Sequence, residues 1–201
     1  MRYSNIIMQE ILGRISPRNC MVVDIQPQYK KVIRFDMFKF CQFLNKQKKI
    51  LYLYNGPDTD GEDSKNDIIE WLLENGLDSD KLKDIIWIDK GYGFFRGWMD
   101  QGIDNSIIKK VLRYMVVHRI NDSRDIENLE EVVDVGDEYE EGEFEFENEL
   151  IYLPDILISK LKKFNKGYLC GGGVYKCLKE FMILLSVFNI KYKLVEDFVF
   201  Y

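Results

Sequence analysis

The chain has 201 residues, 46% of them hydrophobic and 31% charged, with a formal net charge of −6. That length suffices for one globular domain with a proper core, and the acidic balance argues against nucleic-acid or anionic-membrane binding, which need clustered Lys and Arg. A single histidine, His118, excludes His-rich zinc or iron sites and multi-His relays.

The N-terminal residues 4–15 space apolar side chains at helical intervals behind Ser4, and Ser16-Pro17 ends the run. Arg2, Glu10 and Arg14 interrupt this segment, which therefore does not read as a signal peptide. Residues 20–25 form a continuous apolar run with Asp24 near its end, the pattern of a strand buried on both faces in a parallel sheet. Residues 36–47 predict an amphipathic helix, and residues 50–54 a second strand closed by Asn55-Gly56-Pro57. Ser64 caps a helix that runs to Asn75, with Gly76 in the C-terminal capping position, and residues 85–89 form a third strand. This alternation of strand and helix is the signature of a right-handed α/β fold.

The rhythm then breaks. Residues 90–102 are rich in glycine and aromatics, and such loops at sheet ends tend to carry function. Residues 105–119 predict a helix, in which His118 reads as structural or exposed. Residues 121–149 are strongly acidic, and their Glu-Gly-Glu-Phe-Glu-Phe-Glu piece alternates like a hairpin arm. We read an insertion at about 104–150 in a single domain spanning 1–201, either a solvated acidic loop or an arm that binds a partner or forms an oligomer. Pro154 opens a helix to about residue 164, followed by a strand at 168–170, a long helix at 174–188 and a last strand at 192–198. The expected architecture is a three-layer α-β-α sandwich around a central, mostly parallel sheet.

Four cysteines fall singly, without a CxxC pair or the dense spacing of a disulfide scaffold, and the longest apolar run, 181–190, is too short to span a bilayer. A soluble protein of the reducing cytoplasm is expected. Among the cysteines, Cys177 stands out. It follows the turn Gly171-Gly172-Gly173 at the start of a helix, where unpaired N–H groups and the helix dipole favour a thiolate. The glycine run is not a nucleotide loop, since it lacks the Gly-Lys-Ser/Thr ending. Ligands of an open parallel sheet bind beyond the C-terminal strand ends, and Asp24, Lys90 and Cys177 all lie at such ends. A carboxylate to take the thiol proton, an ammonium to stabilise the thiolate and backbone N–H groups around Tyr175, Lys176 and Cys177 as an oxyanion hole make a coherent set.

This order of Asp, Lys and Cys resembles the isochorismatase-like cysteine hydrolase superfamily, which includes nicotinamidases, N-carbamoyl amide hydrolases and isochorismatases. The resemblance rests on Val22-Val23-Asp24-Ile25-Gln26, on Asp89-Lys90 before the aromatic loop, and on Gly171-Gly172-Gly173-Val174-Tyr175-Lys176-Cys177-Leu178 with Glu196-Asp197 after it. It implies a Rossmann-like fold, Asp24 as base, Lys90 as thiolate-stabilising cation, Cys177 as nucleophile and a cis peptide between Val174 and Tyr175. Asn55-Gly56-Pro57-Asp58 stands where nicotinamidases carry an Asp-x-His metal motif, so the expected reaction uses no metal and no cofactor. Tyr175 replaces the family's small residue and is expected to narrow the pocket. Gln26, Tyr92, Phe94, Phe95, Arg96 and Trp98 are the expected pocket residues, with Arg96 as a carboxylate anchor. Two functions follow as expectations. One is hydrolysis of a C–N amide, carbamoyl or related bond of a small molecule. The other is a catalytically inactive fold used as a binding or assembly module through its acidic insertion. A homo-oligomer is expected under either.

Overall fold

Strand β1 (Cys20–Val23) is apolar and buried at every position, as a strand covered on both faces must be. It lies between β2 (Ile50–Tyr54) and β4 (Gly167–Gly171), with β3 (Ile85–Asp89) outside β2 and β5 (Tyr192–Leu194) outside β4. All four pairings are parallel, giving the order β3-β2-β1-β4-β5 in this computed structural model, which describes residues 16–57, 61–91, 93–133 and 150–200. The helix predicted over 4–15, Tyr92 and the alternating piece of the acidic insertion lie outside the described residues.

Alternate side chains of the strands point to opposite faces and build two cores. On one face Val22, Ile50, Tyr52 and Cys170 pack with Phe40, Phe43 and Leu44 of α1 (Met37–Asn45) and Ile68 and Leu72 of α2 (Lys65–Glu74). On the other, Met21, Val23, Leu51, Leu53 and Leu169 pack with α4 (Asn105–His118), α6 (Asp155–Leu161) and α7 (Cys177–Val187). Helices therefore cover both faces of the five-stranded sheet, an α/β sandwich. Each fully buried Leu, Ile or Phe of these cores contributes about 1.5–3 kcal/mol of transfer free energy.

Local chemistry sets the element ends. The Ser64 hydroxyl and Asp67 carboxylate form a reciprocal capping box at the start of α2, and the Asp36 side chain accepts from the Lys39 N–H at the start of α1. Several elements differ from the sequence-based expectation. β1 stops at Val23 because Asp24 turns into the left-handed region at φ 50°. The helix after the glycine turn starts at Cys177 rather than at residue 174, because residues 173–176 still form the turn. β5 ends at Leu194, and Glu196–Phe198 is a 3-10 turn. The aromatic loop contains a short helix, α3 (Arg96–Asp100), and the insertion contains α5 (Leu129–Val133). The two ends of the acidic segment are held together by an antiparallel bridge between Asp122 and Tyr152, and the Tyr152 N–H donates to the Phe94 carbonyl. Among the described residues no helix is long and apolar enough to cross a membrane.

Candidate active site

The strand register brings three chain segments to one level. Val23 pairs with both Leu53 and Gly171, and Tyr54 pairs with Asp89, so Asp24, Lys90 and the glycine turn all emerge at the same edge of the sheet. The Asp24 N–H donates to the Leu53 carbonyl and the Lys90 N–H to the Tyr54 carbonyl, extending each ladder by one bond. β1 and β4 diverge here, since the chain runs outward to β2 and β3 on one side and to β5 on the other. That is the position at which open parallel sheets bind ligands.

Asp24 and Lys90 form the centre. The Lys90 ammonium lies 3.2 Å from Asp24 Oδ2, and the two side chains are 2% and 1% exposed. A single buried charge is costly, and each group here compensates the other. Burial alone would lower the Lys90 pKa, but the Asp24 carboxylate, with Cys177 and Glu180, raises it above the ordinary lysine value, so Lys90 stays charged. Neither carboxylate oxygen of Asp24 has a hydrogen-bond partner of good geometry among the described residues. The carboxylate therefore sits at ion-pair distance from Lys90 with its acceptor sites open to a proton donor.

Cys177 is the first residue of α7, and the turn before it depends on glycine. A Cβ at Gly171, at φ 91°, would lie 2.1 Å from the Val23 carbonyl oxygen. The Gly172 N–H then donates back to Val23, and both Lys176 and Leu178 N–H groups donate to the Gly173 carbonyl. Expectation and structure differ on the thiol. Burial first, and then the Asp24 carboxylate, push the Cys177 pKa up to about 12 against the opposing charge of Lys90. The resting site thus holds a thiol facing a carboxylate, not the preformed thiolate that the helix end alone suggested. Burial and a neighbouring negative charge outweigh the dipole.

The remaining expected residues divide. Lys176 cannot serve as an oxyanion donor in this arrangement because its N–H is held by Gly173 at 2.9 Å, whereas the N–H groups of Tyr175 and Cys177 have no partner among the described residues. All described peptide bonds are trans, so the Val174–Tyr175 bond is not the expected cis bond. Val174 is held by its N–H to the Phe200 carbonyl. The Tyr175 side chain is 76% exposed, pointing to solvent, and does not narrow the site. Gln26 is buried and spends its amide on Asn55, donating to its carbonyl and accepting from its N–H at 3.0 Å each. It clamps the ends of β1 and β2 together. Asp89 does the same for β2 and β3, accepting from the Gly56 and Gly91 N–H groups.

Phe94, Phe95 and Trp98 are fully buried members of the core beneath the site rather than an open wall, since their aromatic area is worth more in the core than in a loop. Arg96 is buried, with its Nε donating to Asp100 at 2.8 Å. His118 is exposed and lies against the Tyr114 ring, away from the site. The sequence reading missed Glu180, one helical turn beyond Cys177. It is buried, and its Oε1 accepts from the Phe95 N–H at 2.7 Å. A carboxylate three residues after Cys177, on the same face of the helix, was the available signal. Comparison with protein-family models, with curated proteins and with solved structures found no match to this chain.

Proposed function

We propose that the chain is a metal-independent cysteine hydrolase that cleaves a C–N amide, carbamoyl or related bond of a small molecule, in the manner of the isochorismatase-like superfamily it resembles. The observation that carries this reading is the buried Asp24–Lys90 ion pair set against the Cys177 thiol at the open edge of the sheet. A structural ion pair has no need of a thiol whose proton faces the carboxylate, and buried charges held beside a nucleophile are the usual mark of a working site.

The chemistry runs as general-base attack. As the Cys177 sulfur bonds to the substrate carbonyl carbon, the thiol proton passes to Asp24, a step worth typically 10²–10⁴-fold in such enzymes. The carbonyl oxygen takes the negative charge and is received by the Tyr175 and Cys177 N–H groups, each such donor being worth roughly 3 kcal/mol. Lys90 adds its positive charge to the same region. Collapse breaks the C–N bond, with Asp24 returning the proton to the leaving nitrogen. Water, losing a proton to Asp24, then attacks the thioester, and as the C–S bond breaks Asp24 returns that proton to the Cys177 sulfur, restoring thiol and carboxylate.

The proposal includes a cytoplasmic setting, supported by four free thiols, and a homo-oligomer, for which sedimentation is the direct test. A screen of small primary amides, N-carbamoyl compounds and related substrates tests the chemistry. Cys177→Ala should abolish turnover while the melting temperature is kept, and a Cys177→Ala protein of full activity ends the proposal. If no substrate in the screen turns over and deletion of residues 121–149 abolishes assembly, the binding-module reading takes its place.

A further inference from the structure

We propose that Glu180 is a positioning residue of this site, its carboxylate locking the loop that carries Lys90 onto the first turn of the nucleophile helix. The inference rests on the cysteine hydrolase reading and deepens it. Glu180 is 1% exposed, which for a carboxylate demands compensation. It lies one turn along α7 from Cys177, and its Oε1 accepts the Phe95 N–H at 2.7 Å. The loop backbone fits closely around it: a Cβ on Gly93 would come within 2.8 and 3.0 Å of the two carboxylate oxygens. Residues 93–95 follow Lys90 by only a few positions. One side chain therefore bridges the two segments that bring Lys90 and Cys177 together, and Gly93 is glycine because the carboxylate fills the space a side chain would need.

The charge of Glu180 has a role beyond the hydrogen bond. The charged and titratable groups acting on it are Lys90 after β3, Asp24 after β1 and Cys177 on its own helix, with Arg96 adjoining through Gly93. Burial raises its pKa, while Lys90 and the backbone N–H of Phe95 oppose that rise. Two carboxylates thus act on one ammonium. Asp24 is placed to take the proton, whereas Glu180 is tied to backbone and is placed to hold Lys90 and to keep the thiol protonated until substrate arrives.

The test is the rate of Cys177 alkylation by iodoacetamide at about pH 8.5, below the thiol midpoint, where the rate follows the thiolate fraction. Peptide mapping assigns the site, and the buried Cys41 serves as the folding control. Glu180→Gln keeps an acceptor for the Phe95 N–H but removes a negative charge that opposes the thiolate. It should speed Cys177 alkylation about tenfold, the effect of a neighbouring charge worth one pH unit, with Cys41 still protected. Gly93→Ala, which displaces the same carboxylate without changing it, should also speed Cys177. A Glu180→Gln rate equal to wild type with Cys41 protected overturns the inference. If Glu180→Gln exposes Cys41, Gly93→Ala decides, and an unchanged Cys177 rate there overturns it as well. Asp24→Asn run in parallel separates the two claims. If Asp24→Asn changes the rate and the Glu180 variants do not, only the role of Glu180 is lost; if Asp24→Asn also leaves it unchanged, the hydrolase reading falls.

Discussion

Replacing Lys90 with Met tests whether the ammonium holds the site together. Methionine fills nearly the same volume, so the cavity term is small and the change is mainly electrostatic. What remains is two buried carboxylates, Asp24 and Glu180, each 1% exposed, without the cation that compensated them. Removing one member of a buried ion pair costs about 3–5 kcal/mol. For a chain of this size each kcal/mol corresponds to roughly 2–4 °C, so the melting temperature should fall by roughly 6–20 °C at neutral pH. The deficit should also depend on pH with a definite sign. Loss of Lys90 removes an influence that lowers the Glu180 pKa and leaves burial and Asp24, both of which raise it. The folded variant then binds more protons than its unfolded chain above the ordinary carboxylate pKa, so its stability falls as pH rises and recovers as pH is lowered toward about 5. Thermal melts of wild type and variant from acidic to neutral pH read both effects. A loss under about 2 °C, or a deficit that does not change with pH, would refute the reasoning.

Other expectations follow from the same geometry. Asp24→Asn suits the left-handed backbone at φ 50°, a region Asn tolerates, so the variant should fold while turnover drops by about 10²–10⁴-fold in steady-state assays. Gly171→Ala places a Cβ 2.1 Å from the Val23 carbonyl oxygen at a positive φ, and should destabilise the protein by several kcal/mol, roughly, or prevent folding, read as loss of a cooperative melt. Ser64→Ala removes one arm of the capping box and touches none of Asp24, Lys90 and Cys177, so it should cost about 1 kcal/mol in denaturant melts with Cys177 reactivity unchanged. The Cys177 thiol, ordinary value 9.0 and pushed up to about 12, keeps its proton in the folded state after the unfolded chain has lost it. Stability should therefore fall between about pH 9 and 12, and Cys177→Ser should remove that part of the alkaline loss.

Much of the framework was legible because its signals are local. The apolar runs that became Ile50–Tyr54 and Ile85–Asp89 were bounded correctly because Asn55-Gly56-Pro57 and Asp89-Lys90-Gly91 end the apolar pattern with polar and turn-forming residues. Ser64 announced α2 through its hydroxyl, and the alternation of strand and helix implied a parallel sheet with helices on both faces. What escaped depends on tertiary contact. The left-handed turn at Asp24 follows from its place against β2 and the glycine turn, which no periodicity carries. The delayed start of α7 at Cys177 follows from the turn that wraps back onto Val23. Phe94, Phe95 and Trp98 read as a loop because Gly91, Gly93 and Gly97 are interspersed with them, yet the fold draws them into the core. Glu180 looked like one more helix charge until the loop after Lys90 folded over it. The protonation of Cys177 was misjudged for a similar reason: the helix end is visible in sequence, whereas the burial and carboxylate that outweigh it appear only when the strand ends meet.

The most direct test of the central claim is acylation of Cys177 by the reactive ester p-nitrophenyl acetate, followed by nitrophenolate release and intact-mass peptide mapping. The account predicts a burst approaching one nitrophenolate per chain, one acetyl group on the peptide bearing Cys177, and a burst slowed about 10²-fold or more in Asp24→Asn. An acetyl group spread over lysines with no label on Cys177, or a burst indifferent to Asp24, would contradict it.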